Sequence, residues 1–163
     1  MTRVRFGIGY DAHPLVEGRP LVLAGVRVPF ERGLDGHSDG DAATHAIIDA
    51  VLGAAAMGDI GAHFKEGDPD VPKGVPSLAL LRRTVAMVRS RGFQVGNVDA
   101  TIVAQRPRLA GHIAAMREAL AEALGIPLVD VSIKATTEDG MGFTGTGQGI
   151  SAIAIASLTG PSH

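Results

Sequence analysis

Ser38-Asp39-Gly40-Asp41-Ala42-Ala43-Thr44-His45-Ala46-Ile47-Ile48-Asp49-Ala50-Val51-Leu52-Gly53-Ala54-Ala55-Ala56 carries the strongest structural signal in the chain. Ser38 and Asp41 have capping-box spacing, with Asp in place of the usual Glu, so a helix is expected to open there and run to about Ala56. Ala42, Ala43, Ala46, Ile47, Ile48, Ala50, Val51 and Leu52 make it apolar on nearly all sides, and such a helix is buried. The polar exceptions are Asp41, His45 and Asp49, spaced i, i+4, i+8, which form one stripe. A solvated stripe normally carries Glu, Lys or Arg. Asp-His-Asp is the composition of a lined cavity, although taken singly His45 also reads as a satisfied core histidine and Asp41 as a helix cap.

Outward from this helix, strands and helices alternate. Arg3 to Gly9 alternates polar or small residues with Val4, Phe6 and Ile8, as a strand with one buried face does. Leu21–Leu23 and Val26–Phe30 read as a hairpin or two short edge segments. Gly58 to Pro76 is rich in Gly, Pro and Asp and reads as a long loop, which in a small domain points to function. Ser77 is expected to cap a second helix, with Leu78, Leu81, Val85 and Val88 at helical spacing and Gly92 as its stop. A strand over Val98–Ala104 precedes a third helix over Leu109–Leu124, whose Ile113, Met116, Leu120 and Leu124 share a face. A strand over Val129–Ala135, a Gly-rich loop from Gly140 to Gly149 and an apolar strand over Ile150–Leu158 complete the pattern. It predicts one domain over residues 1–163, of α/β or α+β class, with helices on one face of a mixed sheet.

Composition narrows the function. Fifteen Lys+Arg against seventeen Asp+Glu give a net charge of −2, unlike a nucleic-acid or anionic-membrane binder. Aromatics are 4%, leaving little for a base-stacking platform. Met1 to Phe6 lacks a signal peptide's apolar region, and no apolar run suggests a membrane span, so a cytoplasmic location is expected. There is no Cys, so any metal falls to His and carboxylates.

Asp11-Ala12-His13 follows the first predicted strand. In extended chain both side chains point the same way. Read alone the tripeptide also fits a turn. With His45 it gives two His and one Asp, a ligand set that leaves a zinc ion one open position. Gly140-x-Gly142-x-x-Gly145 matches a dinucleotide fingerprint as a string, but a strand follows where a helix is required, so that reading is rejected. A Gly-rich loop still offers N–H groups to phosphate, with Lys134, Thr136 and Thr137 as further donors. Glu138 and Asp139 suit a second, harder cation such as magnesium, or simply decorate a surface turn. His63, His112 and His163 have no partner in sequence and read as structural or surface residues.

These residues, as Gly9-Tyr10-Asp11-Ala12-His13, His37-Ser38-Asp39-Gly40-Asp41, His45, Asp49 and Gly58-Asp59-Ile60-Gly61, resemble the 2-C-methyl-D-erythritol 2,4-cyclodiphosphate synthase family. The likeness continues through Gly96-Asn97-Val98-Asp99, Lys134-Ala135-Thr136-Thr137 and Gly142-Phe143-Thr144-Gly145. It implies a CMP-releasing phosphorus–oxygen lyase of the non-mevalonate isoprenoid route. The substrate would be 4-diphosphocytidyl-2-C-methyl-D-erythritol 2-phosphate and the product the cyclic diphosphate. It also implies a homotrimer with active sites between subunits, zinc on Asp11, His13 and His45, and magnesium or manganese on the diphosphate. His37 and Thr137 match catalytic positions that steady the transition state, and Ser38 matches a phosphate contact. Asp59 and Gly61 match the methylerythritol diol site, followed by a substrate loop that here holds Phe64 and Asp68. Ala104, Pro107 and Arg108 match a cytidine pocket, where the family usually has Lys rather than Arg, and Thr136 is a further substrate-binding position. Phe143 would face a central apolar cavity.

Three departures from that pattern stand out. Thr136-Thr137-Glu138-Asp139 replaces the usual Thr-Thr-Thr-Glu, so either Asp139 or Glu138 takes the second-metal position. Phe64-Lys65-Glu66-Gly67-Asp68 replaces Phe-Pro-Asp-x-Asp. Thr146 stands where the family often has Arg, so no prenyl-diphosphate binding is expected. The alternatives to a cyclase are a non-catalytic, metal-stabilised nucleotide-binding oligomer and a metal-dependent phosphohydrolase.

Overall fold

A computed structural model of the protein describes residues 2–161, so His163 lies outside the described residues. The strands are β1 (Thr2–Glu17), β2 (Leu21–Leu23), β3 (Val26–Val28), β4 (Arg32–Leu34), β5 (Gln94–Val103), β6 (Val131–Thr136) and β7 (Gly149–Pro161). The helices are α1 (Ala42–Ala54), α2 (Ile60–His63), α3 (Ser77–Ser90), α4 (Ile113–Leu124) and α5 (Gly142–Gly145). Five strands form one sheet in the order β4-β1-β7-β5-β6, and β2 and β3 form a separate hairpin. β5 and β6 pair in parallel, joined across α4, whereas β1 and β5 both run antiparallel to β7. The sheet is mixed, as expected. No helix among the described residues is long and apolar enough to cross a membrane.

α1 is buried at every position but Asp49 and Gly53 and lies across β1 and β7. Small residues bring it unusually close. A Cβ on Gly9 would stand 1.8 Å from the Ala46 carbonyl oxygen, and one on Gly7 1.9 Å from that of Ala50. Ala152, Ala154 and Ala156 continue this shallow floor on β7. Arg5 donates from Nε to the Ala54 carbonyl at 2.6 Å and so satisfies the end of the helix.

The first strand differs from the sequence reading in two respects. It runs to Glu17, so Asp11 and His13 lie within it rather than past it. Its buried face is the small one. Val4, Phe6, Ile8 and Tyr10 point away from the helices, with Phe6 72% and Ile8 70% exposed, and Ile153 and Ile155 on β7 join them. The period of 2 was legible, but which face meets the core was set by the need to fit a helix against glycine.

The start of α1 also differs. Asp41 is its N-cap and accepts from the Thr44 amide at 3.0 Å, while Ser38 lies outside the helix and accepts from the Gly40 amide. The Asp41 carboxylate further accepts from Thr44 Oγ1 and from the amides of Ala24 and Gly25 at the tip of the β2–β3 hairpin. That tip has positive φ at both residues, the twist a two-residue hairpin favours. Asp41→Ala removes four hydrogen bonds and strands buried donors. It is expected to cost about 3 kcal/mol of stability, read by denaturant unfolding.

Smaller differences follow the same pattern. Pro76, not Ser77, occupies the cap position of α3, and Leu78 is only partly buried. Leu109–Leu124 begins as a 3-10 turn before α4, and α4 ends at Gly125 in the left-handed conformation. Asp59 caps the one-turn α2 inside the predicted long loop, and α5 is a single turn within the Gly-rich segment.

Candidate active site

β1 presents Asp11 and His13 on the face that meets α1, and the close approach of α1 brings His45 to them. Asp11 Oδ2 lies 2.8 Å from His13 Nε2 and 3.2 Å from His45 Nδ1, and the two ring nitrogens are 3.2 Å apart. The other nitrogen of each ring is committed elsewhere. His13 Nδ1 donates to the Asp35 carbonyl at 2.6 Å. His45 Nε2 has Ser77 Oγ at 2.8 Å and Ser38 Oγ at 3.1 Å. Three acceptor atoms therefore face one another across a gap that only a proton or a cation reconciles. The edge of a tetrahedron with zinc–ligand arms of about 2.0 Å is about 3.3 Å, close to these separations. Asp11, His13 and His45 fit a divalent metal in geometry and in donor chemistry.

Burial disfavours charge on Asp11, but the hydrogen bonds and charges of His13 and His45 outweigh it and hold the carboxyl below the usual carboxylate range. Burial opposes charge on His13 too, yet the hydrogen bond and charge of Asp11, with the Asp35 carbonyl, raise its pKa. A proton on His13, facing Asp11 at 2.8 Å, is thereby favoured where no cation lies between the three groups.

Around this centre lies a cavity of about 410 Å³ lined by His37, Ser38, Ile60, Gly61, Phe64, Lys65, Glu66, Val71 and Leu80 beside the three ligands. Its loops are strapped down. Arg19 donates to the carbonyls of Gly36 and Ser38, holding the segment that carries His37. His37 Nε2 donates to the Val71 carbonyl at 2.9 Å. Asp49, the last member of the helical stripe, accepts from the Ile60 amide at 2.7 Å and so anchors the Asp59-Ile60-Gly61 turn rather than a metal. Arg83 stacks over Phe64, 4.9 Å from the ring centre, and donates to the Asp70 carbonyl. Asp68 is exposed and does not line the cavity. His63 donates to the Met57 carbonyl, a structural role.

Ala104, Pro107, Arg108, Thr136 and Thr137 line a second cavity of about 320 Å³ with Gln105, Leu109, Ala110, Ile113 and Ala135. It shares no residue with the first. Asp11, Ala152, Ile102 and Ala135 form one row across the sheet, so the two sites stand three strands apart, about 14 Å. Glu138 accepts from Thr144 Oγ1, which draws it into α5. Asp139 is exposed and accepts from Thr137 Oγ1 at 3.2 Å. Phe143 is partly exposed beside Gly149 at the start of β7.

A family model matches residues 4–159, and it is that of the YgbB family. The chain belongs to the YgbB family. Among its relatives in the family is the 2-C-methyl-D-erythritol 2,4-cyclodiphosphate synthase of Trichlorobacter lovleyi, 56% identical over 155 residues, covering 95% of this chain and 98% of the relative. That of Methylococcus capsulatus is 58% identical over 154 residues, covering 94% and 97%. A solved 2C-methyl-D-erythritol-2,4-cyclodiphosphate synthase in a CDP-bound form superposes with a TM-score of 0.87 at 35% identity, covering 94% of this chain and 99% of that one.

The sequence reading missed the partners that aim the ligands. In sequence Ser77 reads as a helix cap, Asp39 only as part of the family-like motif, and the Asp35 carbonyl and Arg19 carry no signal. Lys65 and Glu66, noted only as departures, line the metal cavity.

Proposed function

We propose that this protein converts 4-diphosphocytidyl-2-C-methyl-D-erythritol 2-phosphate into 2-C-methyl-D-erythritol 2,4-cyclodiphosphate and CMP, as a phosphorus–oxygen lyase. The observation that carries the reading is the convergence of Asp11, His13 and His45 with both outer ring nitrogens already committed. The names of its family relatives supply the product, the cyclic diphosphate.

An oxygen of the 2-phosphate attacks the phosphorus nearer the methylerythritol. The bond from that phosphorus to the CMP oxygen breaks, and CMP leaves with the electron pair. No water and no protein nucleophile enter, so the protein's work is positioning and charge neutralisation. Zinc on Asp11, His13 and His45, with magnesium or manganese at Asp139, would supply cationic charge to the phosphates. Asp139 is preferred over Glu138 because Thr144 draws Glu138 into α5, whereas the Asp139 carboxylate stays exposed beside Thr137. His37 Nε2 and Thr137 Oγ1 would donate to developing charge once substrate draws them from the Val71 carbonyl and from Asp139, and Ser38 gives a phosphate contact. Asp59, Gly61 and Phe64 hold the methylerythritol end, and Ala104, Pro107, Arg108 and Thr136 hold the cytidine. Ile60, Phe64, Val71 and Leu80 form an apolar wall that keeps water from the attacked phosphorus.

A homotrimer with shared sites fits two further features. The metal and nucleotide cavities are separate in one chain. The Val4, Phe6, Ile8, Tyr10, Ile153 and Ile155 face is of a size and apolarity that monomers rarely leave bare. A cytoplasmic location accords with this chemistry.

Phosphorus NMR of the protein with substrate, zinc and magnesium, alongside light scattering, tests the reading. Cyclic diphosphate with equimolar CMP and a threefold subunit mass are expected. Linear phosphates would make the protein a hydrolase. Cytidine-nucleotide binding without CMP release would make it a binding protein.

The pKa directions give a pH dependence. Zinc must displace the His13 proton, so zinc affinity rises with pH through the raised His13 pKa and levels off above it. In the metal-free protein, His13 contributes stability that is complete below the ordinary histidine pKa and lost as pH rises through the raised one. Asp11 contributes above the ordinary carboxylate pKa and loses that contribution as pH falls through the lowered one. Chelator competition between about pH 5.5 and 9 reads the zinc effect, and a flat profile contradicts it.

A further inference from the structure

We propose that Asp39 and Ser77 are positioning residues of the metal site, setting the tautomer of His45 through a buried hydrogen-bond relay. The inference rests on the metal-site reading above and extends it to residues to which nothing so far gives a role. An ionised carboxylate only accepts. Asp39 Oδ1 is in short contact with Ser77 Oγ, and Asp39 Oδ2 accepts from the Ser77 amide at 3.0 Å. Asp39 Oδ1 also accepts from the Asp41 amide at 3.1 Å, which fixes the carboxylate against the start of α1. The Ser77 hydroxyl proton therefore points at Asp39. Its oxygen lone pair is left facing His45 Nε2 at 2.8 Å, so the imidazole proton must sit on Nε2. Nδ1 is then a bare lone pair directed at Asp11 and His13.

Asp11, His45 and Ser77 lie in a line that looks like a nucleophilic triad. Ser77 is fully buried and its proton is directed away from His45, so it serves as an acceptor for the ring and not as an attacking group. Ring-orienting partners of this kind are typically worth 10- to 100-fold in metal affinity.

The test uses the full chain stripped of metal, with zinc alone as the probe. Asp39→Asn lets an amide N–H donate to Ser77, which reverses the relay and places a proton on His45 Nδ1. Ser77→Ala removes the nearer acceptor and leaves only Ser38 Oγ, at 3.1 Å and outside the Asp39 relay. Thr84→Ala is the control, since Thr84 is a buried hydroxyl on the same helix that donates to the Leu80 carbonyl away from the site. Zinc affinity by chelator competition is expected to fall about 10- to 100-fold in Asp39→Asn and Ser77→Ala and to hold in Thr84→Ala, whatever each does to the melting temperature. Nitrogen-15 shifts of His45 in the metal-free protein at about pH 8.5 should report Nε2–H in the wild type and a large Nδ1–H population in Asp39→Asn. Zinc affinity within twofold of wild type in both variants, or a wild-type His45 protonated on Nδ1, overturns the relay. Wild-type protein that takes no zinc sinks the metal reading instead, and the nitrogen shifts then decide the relay alone.

Discussion

His45→Ala is expected to leave a folded protein that neither takes up zinc nor releases CMP. The side chain supplies one of three converging donor atoms, and Asp11 and His13 alone lie on one strand with no third arm opposite them. Charge neutralisation by a metal at a phosphoryl centre is worth several kcal/mol, so turnover is expected to fall at least about 10³-fold, or about 4 kcal/mol of barrier. The fold should survive, because α1 is held mainly by Ile47, Ile48, Val51, Leu52 and its alanines. Zinc content, CMP release and the melting temperature of the same preparation separate these effects. A variant that cyclises substrate at the wild-type rate refutes the site assignment.

Gly9→Ala is expected to damage both stability and the metal site by one mechanism. The new Cβ would lie 1.8 Å from the Ala46 carbonyl oxygen and 2.8 Å from the Ala50 amide nitrogen. Both are backbone atoms of α1 and cannot turn aside, so the helix must lift off the sheet by about 1.5 Å to reach ordinary contact. Overpacking typically costs 1–3 kcal/mol, and a backbone-on-backbone clash belongs at or above about 3 kcal/mol. Lifting α1 also carries His45 away from Asp11 and His13, so zinc affinity falls with stability. Gly53→Ala is the contrast. Gly53 is an exposed position of the same helix, with nothing closer than 3.9 Å to a new Cβ. There the change should stabilise by about 0.5–1 kcal/mol through helix propensity. Denaturant unfolding of the two variants should move in opposite directions.

Periodicity and side-chain chemistry along the chain are enough to read the kinds of elements and the candidate ligand set. The apolar run of α1 demanded burial, and its Asp-His-Asp stripe marked a cavity. Asp11 and His13, two residues apart in extended chain, had to share a face whichever way the strand turned. The absence of Cys left any metal to such residues. The stripe still misled in part, because Asp41 became a helix cap and Asp49 a loop anchor, and only His45 reached the ligands.

Tertiary structure decided which face of β1 is inside. Hydrophobicity favoured Val4, Phe6 and Ile8, but only glycine admits a helix backbone at the distance α1 adopts, so the small face was buried. It also decided which residues surround His45. Ser77 is 32 residues from it in sequence and touches it through the packing of α3 on α1. The Asp35 carbonyl that aims His13 is a backbone atom, identical in every residue type, and leaves no trace in sequence. The strand order placed the metal ligands and the Thr136–Thr137 cavity three strands apart, a separation that no spacing along the chain encodes. Ligand identity is a property of side chains and can be read residue by residue. Ligand aim and the distance between sites are properties of backbone placement, and those exist only once the chain has packed.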